Sequence, residues 1–118
     1  MSDCIFCRIA RGEIPCKKIY EDEDMLAFHD IQPQRPTHFL IIPKMHVDSL
    51  ATVNAEHRDV LGNIFVKAGA LAREVGLEQG FRTIVNTGKI GGQEVYHLHV
   101  HILGGPEPLG SMLKRKAP

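Results

Sequence analysis

Two short stretches carry residue types that could do chemistry. Near the end of the chain, YHLHVHIL places His97, His99 and His101 at every second position. Near its start, CIFC places Cys4 and Cys7 in a C-x-x-C. A neutral imidazole is a nucleophile, and its ordinary pKa of about 6.5 keeps it mostly neutral at pH 7. It can attack phosphorus and form a covalent intermediate that water resolves. Just upstream of the histidines, Gly88, Gly91 and Gly92 mark a loop. Backbone N–H groups in such a loop can approach an anion closely, because no Cβ stands in the way. A histidine nucleophile beside an amide-rich loop points to phosphoryl or nucleotidyl transfer, with no Mg²⁺ required. The C-x-x-C is open to three readings: a redox pair, half of a metal clip, or two unrelated buried cysteines.

If the histidine run is a strand, its side chains alternate. His97, His99 and His101 then share one face, and Leu98, Val100 and Ile102 share the other. The apolar face is expected to pack on a helix, and the histidine face to look into a cleft or solvent. All three cannot hold one ion. At a rise of about 3.3 Å per residue the outer two lie roughly 13 Å apart at Cα, too far for metal–nitrogen bonds of about 2 Å. The triad is therefore expected to divide its tasks.

The elements that must position these residues can be read from periodicity and punctuation. Ile5, Phe6 and Ile9 have helical spacing, and Gly12 stops a short helix. Lys17 to Tyr20 and Met25 to His29 read as short strands joined by the turn EDED at Glu21 to Asp24. DIQPQRPT is a loop, because Pro33 and Pro36 forbid a helix through it. His38 to Ile42 is a strand. One long helix is expected from the N-cap Asn54, with an apolar face of Val60, Leu61, Ile64, Phe65, Ala68, Leu71, Ala72 and Val75, ending at Gly76. Phe81 to Val85 and Val95 to Leu103 complete the strands. The result is an α+β domain: a five-stranded, mostly antiparallel sheet with one long helix and a short N-terminal helix. That is a thin core for 118 residues, so a homodimer that extends the sheet or pairs the helices is expected.

Length and composition bound the rest. The chain reads as a single domain over residues 1–118. Lys plus Arg and Asp plus Glu both number 14, which leaves no charge footprint for a nucleic-acid partner. The longest strongly apolar stretch, Phe39 to Pro43, is far too short to span a membrane, and no signal peptide is visible. A cytoplasmic protein is expected. The basic run Lys114-Arg115-Lys116 reads as a solvated terminus. His57 is expected to be solvated in the first turn of the helix, and Cys16 to be an ordinary small residue.

GGQEVYHLHVHILGG resembles the signature of the histidine-triad (HIT) superfamily, in which three histidines alternate with hydrophobic residues. IFCRIARGEIP, LAFHDIQPQRPTHFLIIPKMH and Asn86 before the glycine loop resemble its Hint branch, the nucleoside phosphoramidases. The resemblance covers about 110 residues. It implies that His99 is the nucleophile that becomes nucleotidylated, with His101 and His38 supporting it at the phosphate. Asn86, Gly92 and the backbone at Val95 match phosphate contacts, with Gln93 a polar contact beside them. Asp30 matches the carboxylate that binds ribose hydroxyls. Ile5, Phe6, Ile9, Phe28, His29, Ile31 and Leu40 match the pocket that sandwiches a purine. The implied substrate is a purine nucleoside 5′-phosphoramidate or a related adenylated compound. Dinucleoside polyphosphate hydrolysis, nucleotidyl transfer, and a nucleotide-binding interaction module with incidental hydrolysis are the alternatives.

The chain departs from animal members at position 94, where their serine contacts the leaving group and this chain has Glu94. That role does not transfer; Glu94 is expected to face solvent. The resemblance also weighs on CIFC. Galactose-1-phosphate uridylyltransferases, distant members of the superfamily, place zinc on a comparable set. Cys4, Cys7, His46 and His97 are therefore expected to hold a structural zinc, with His97 tying the N-terminal segment to the catalytic strand.

Overall fold

The run Phe39–Ile42 cannot be a half-exposed strand, because alternation would put every second residue in water. In the computed structural model, which describes residues 4–113, all four are 4% exposed or less. They form the middle of β3 (Thr37–Pro43), the central strand of a five-stranded sheet. The other elements are α1 (Ile5–Ala10), β1 (Lys18–Glu21), β2 (Met25–His29), a 3₁₀ turn (Ala55–His57), α2 (Arg58–Glu74), β4 (Arg82–Ile84) and β5 (Val100–Gly104). The strand order is β1-β2-β3-β5-β4, and every neighbouring pair is antiparallel. The expected α+β architecture is the one observed. Lys114-Arg115-Lys116 lies outside the described residues.

The sheet is covered on both faces. Met25, Ala27, Phe39, Ile41, Val100 and Ile102 point to α2 and meet Val60, Ile64, Ala68 and Leu71 there. Leu26, Phe28, Leu40 and Ile42 point the other way and meet Phe6 of α1. A helix of six residues does not persist alone in water. What holds α1 is burial of Phe6, worth on the order of 2–3 kcal/mol, and its edge-on contact with Phe28 at a centroid distance of 5.8 Å. The short helix matters because it roofs the face on which the histidines stand.

Two local expectations are corrected. His57 is not solvated: it is 8% exposed, and its Nδ1 accepts the Asn54 backbone N–H at 3.0 Å. Asn54 in turn accepts from the Glu56 N–H at 2.9 Å, so the pair forms a reciprocal cap on the 3₁₀ turn that leads into α2. Asn54→Ala is expected to lower stability by about 1 kcal/mol in urea denaturation. The last strand is also shorter than its alternation suggests. Its ladder starts at Val100, because Leu98 gives its N–H to Val47 O at 2.8 Å rather than to a neighbouring strand. The alternation nonetheless continues: Leu98, Val100 and Ile102 all enter the α2-facing core.

Candidate functional site

The register of β3 and β5 brings two distant histidines together. Leu40 pairs with His101 and His38 with Leu103, so His38 and His101 stand side by side on the face away from α2. Their Nε2 and Nδ1 atoms lie 3.0 Å apart. The hydrogen bonds assign the protons. The Gln34 backbone N–H donates to His38 Nδ1 at 3.0 Å, so a neutral His38 carries its proton on Nε2. His38 Nε2–H then donates to His101 Nδ1, which leaves the His101 proton on Nε2. Burial holds His38 below the usual imidazole range, against the opposing pull of Asp30. Burial, with His99 and His38 adjoining, pushes His101 down to about 4. Both are neutral at pH 7, so the Asp30 carboxylate, 3.5 Å from His38 Nε2, is a polar neighbour rather than an ion-pair partner.

His99 is oriented from the other side. Its Nδ1–H donates to the His97 carbonyl oxygen at 2.8 Å. A neutral His99 therefore has a bare Nε2, the atom a nucleophile needs. Its ring is 7% exposed and packs edge-on against Phe6 (5.0 Å between centroids) and His101 (4.9 Å).

These groups line a cavity of about 550 Å³, ample for a nucleotide. Its walls include Ile5, Phe6, Ile9, Phe28, Asp30, Ile31, Leu40, Asn86, Gly92 and Val95, together with His38, His99 and His101. Two expected contacts sit elsewhere. His29 lines an adjoining cavity of about 720 Å³ with Pro15, Cys16 and Lys17, which shares Asp30, Ile31 and His38 with the first. Gln93 is buried, and its amide is consumed by the fold. It accepts the Gly88 N–H at 2.8 Å and donates to Asp48 O (2.7 Å) and Val95 O (3.0 Å). Gln93 thus locks the glycine loop to the segment after β3, and no donor or acceptor of it faces the cavity.

The loop is also less open as an amide cradle than its composition suggests. Gly92 N–H and Gln93 N–H close the turn onto Lys89 O and Gly88 O. A Cβ at Gly91 would meet Thr87 O at 2.3 Å, and Gly92 has φ +84°, so both glycines are needed to make the loop this tight. Gln32 and Gln34 also border the cavity. Their part was not anticipated; the Pro-bounded DIQPQRPT loop was the only signal that the chain turns back there.

The histidine face does not simply open on a cleft, because His97 is completely buried. It belongs to a second cluster. Cys4 Sγ and His97 Nδ1 are 3.3 Å apart, Cys7 Sγ and His46 Nδ1 3.2 Å, and Cys7 Sγ and His97 Nδ1 3.4 Å. Around a tetrahedral ion with bonds of about 2.0–2.3 Å, ligand atoms lie roughly 3.3–3.8 Å apart. All four donor atoms lie within 4.8 Å of one another, so the residues fit a metal. The tautomers fit as well. His97 Nε2–H donates to Pro43 O at 2.8 Å and His46 Nε2–H to Asp48 Oδ1 at 2.7 Å, turning both Nδ1 lone pairs inward. Burial, then the adjacent Cys4, push the Cys7 thiol up; a bound cation would favour the thiolate instead. A second group, Asp30, His38 and His101, is equally close-set. There His38 Nε2 carries the proton and has no lone pair to offer, so that group is a hydrogen-bond chain.

The HIT domain profile matches residues 11–107. The curated Neisseria gonorrhoeae Protein HitA is 53% identical over 106 residues, covering 90% of this chain and 99% of that one. The Escherichia coli K12 purine nucleoside phosphoramidase is 48% identical over 115 residues, covering 97% and 96%. Among solved structures, a histidine triad protein from Clostridium difficile superposes with a TM-score of 0.88 at 48% identity, covering 94% of this chain and 97% of that one. A HIT family hydrolase from Legionella pneumophila superposes with a TM-score of 0.85 at 50% identity, covering 88% and 94%. The fold, the paired histidines and these matches agree along most of the length: the chain belongs to the HIT domain family and is an enzyme of its hydrolase group.

Proposed function

We propose that the protein hydrolyses purine nucleoside 5′-phosphoramidates, or closely related adenylated compounds, through a nucleotidyl-histidine formed on His99. The observation that carries this reading is the 2.8 Å bond from His99 Nδ1 to the His97 carbonyl, which leaves Nε2 bare beside a nucleotide-sized cavity. The similarity to the E. coli phosphoramidase supports the substrate class. The base lies among Ile5, Phe6, Ile9, Phe28, Ile31 and Leu40, with His29 at the edge of the adjoining cavity, and Asp30 takes the ribose hydroxyls. Asn86, Gly92 and the Val95 backbone border the α-phosphate, and His101 Nε2–H is the neutral donor nearest it.

In the first step a bond forms between His99 Nε2 and phosphorus. The P–N bond breaks with its electron pair going to nitrogen, which takes up one proton from water as the amine leaves. In the second step water adds to phosphorus, the bond to Nε2 breaks, and one proton is released with the nucleoside monophosphate. Donors already in place around the phosphoryl oxygens lower the barrier because they need no reorganisation.

Cys4, Cys7, His46 and His97 hold a structural zinc in this reading, and the metal's part is to tie α1 to the catalytic segment. The protein works in the cytoplasm, where Cys4, Cys7 and Cys16, all free in this structure, remain reduced. It works as a homodimer, a reading supported by the unpaired outer edge of β4 and by Phe65 and Val66 on α2, exposed at 49% and 84%. The test is steady-state hydrolysis of adenosine 5′-phosphoramidate against diadenosine polyphosphates of matched concentration. Release of adenosine monophosphate with kcat/KM at least about a hundredfold in favour of the phosphoramidate is expected. A preference for the polyphosphates would replace this reading with the other superfamily activity.

A further inference from the structure

The charge around the catalytic cavity is one-sided. Among the described residues lining it, Asp30 and Glu94 are carboxylates, and none is a lysine or arginine. The two histidines bonded to each other there are neutral at pH 7. A phosphate-handling site with no fixed cation is unusual in its economy of charge, since phosphates are ordinarily met by Arg or Lys.

The two carboxylates are also set apart along the sheet. Asp30 follows β2 and hydrogen-bonds through its backbone N–H to His38 O, at the Thr37 end of β3. Glu94 adjoins Gln93, whose side chain bonds Asp48 O, beyond the Pro43 end of β3. His101 pairs with Leu40 in mid-strand, and His99 lies on the Pro43 side of it. The reacting histidines therefore stand between the two acids. Asp30 and Glu94 thus border opposite ends of the cavity, so a substrate whose ribose meets Asp30 presents the substituents on its phosphorus to the Glu94 end. Glu94 is exposed, borders the cavity, and has no hydrogen-bond or ion-pair partner among the described residues.

We infer that Glu94 is a specificity determinant that selects substrates whose leaving amine carries a second, positively charged group, and that rejects anionic leaving groups. This rests on the phosphoramidase reading and deepens it. A cation about 6 Å from the carboxylate in near-bulk dielectric gains about threefold in affinity, and partial exclusion of water by the cavity walls raises this to about tenfold. A polyphosphate leaving group instead brings several negative charges to a wall that offers none to balance them. Because the carboxylate is exposed, its effect is expected to fade as salt shortens the Debye length from about 10 Å at 0.1 M to about 3 Å at 1 M.

The experiment uses three adenosine 5′-phosphoramidates with leaving amines of similar length: N-(2-aminoethyl), N-propyl and N-(2-carboxyethyl). The wild-type protein is expected to rank them cationic, neutral, anionic in kcat/KM, with about tenfold or more between the extremes at low salt. Glu94→Gln is expected to bring the cationic-to-neutral ratio close to one, and Glu94→Lys to invert it. The change should sit mainly in KM, and high salt should compress the wild-type ratios but not those of Glu94→Gln. Ratios unchanged in both variants overturn the inference and leave the phosphoramidase reading standing. Hydrolysis of none of the three compounds by the wild type overturns both.

Discussion

Replacing His99 with alanine is expected to reduce turnover of adenosine 5′-phosphoramidate by roughly 10⁴-fold or more, with adenosine monophosphate binding preserved within a few fold. The expectation follows from the division of labour in the cavity. In the proposed binding mode the base and ribose meet Phe6, Phe28, Ile31 and Asp30, and of these only Phe6 packs edge-on against the His99 ring. What the ring alone supplies is a bare Nε2 at the cavity, and neither other imidazole of the H-x-H-x-H run offers one there. His101 Nδ1 is occupied by His38, and His97 is buried against the cysteines. Calorimetry with adenosine monophosphate and steady-state kinetics separate the two effects. Because Phe6 packs on the His99 ring at 5.0 Å, alanine also leaves a void. His99→Asn keeps more of the volume and serves as the control, with thermal melting to confirm folding. A slow phosphoramidate should leave a nucleotidyl adduct on the wild-type protein, detectable by mass, and none on either variant. Turnover by both variants at wild-type rate would sink the nucleophile assignment.

Replacing Cys7 with serine is expected to produce the opposite pattern of damage. In the zinc reading, Cys7 holds the ion together with Cys4, His46 and His97, and its thiol approaches both imidazoles. Losing it removes the tether on α1, a helix too short to stand by itself. The cost is expected to be about 3 kcal/mol, or a Tm lower by on the order of 10 °C for a domain of this size. Nucleotide binding should weaken too, because Ile5 and Phe6 of α1 form part of the cavity wall. The His97 carbonyl that orients His99 belongs to the same clip, so kcat should also fall. Metal analysis of protein purified without chelator should find close to one zinc per chain in the wild type and much less in the variant. A wild-type protein free of zinc, with the same melting temperature as Cys7→Ser, would refute the clip. His99→Ala thus loses chemistry and keeps binding, whereas Cys7→Ser loses stability and binding together.

Much of the fold was legible from local pattern. The continuous apolar run at Phe39–Ile42, the 4-and-3 spacing of α2 and the prolines after Asp30 each reflect a constraint that acts within a few residues of chain. Sequence reading failed where distant groups compete for the same backbone atoms. His57 is a turn-capping residue because the 3₁₀ turn brings its Nδ1 within reach of the Asn54 N–H. Gln93 is a brace because Asp48 O, 45 residues away, arrives beside it. Leu98 leaves the sheet ladder because its N–H bonds Val47 O, on the segment after β3.

By itself the sequence determined that three histidines would alternate with core residues, that two cysteines would bracket Phe6, and that a tight glycine loop would precede the triad. These are properties of spacing, and spacing survives without knowledge of what lies opposite. Only the tertiary structure decided how the histidines divide their work. A residue's tautomer depends on which atom comes within hydrogen-bond reach of each ring nitrogen, and those atoms come from other strands and loops. Pro43 O turns His97 toward the cysteines, the His97 carbonyl bares Nε2 of His99, and the Gln34 N–H makes His38 a donor to His101. One repeating H-x-H-x-H thus yields an imidazole turned toward the cysteines, one with a bare Nε2 at the cavity and a neutral donor, because each imidazole meets a different partner across the fold.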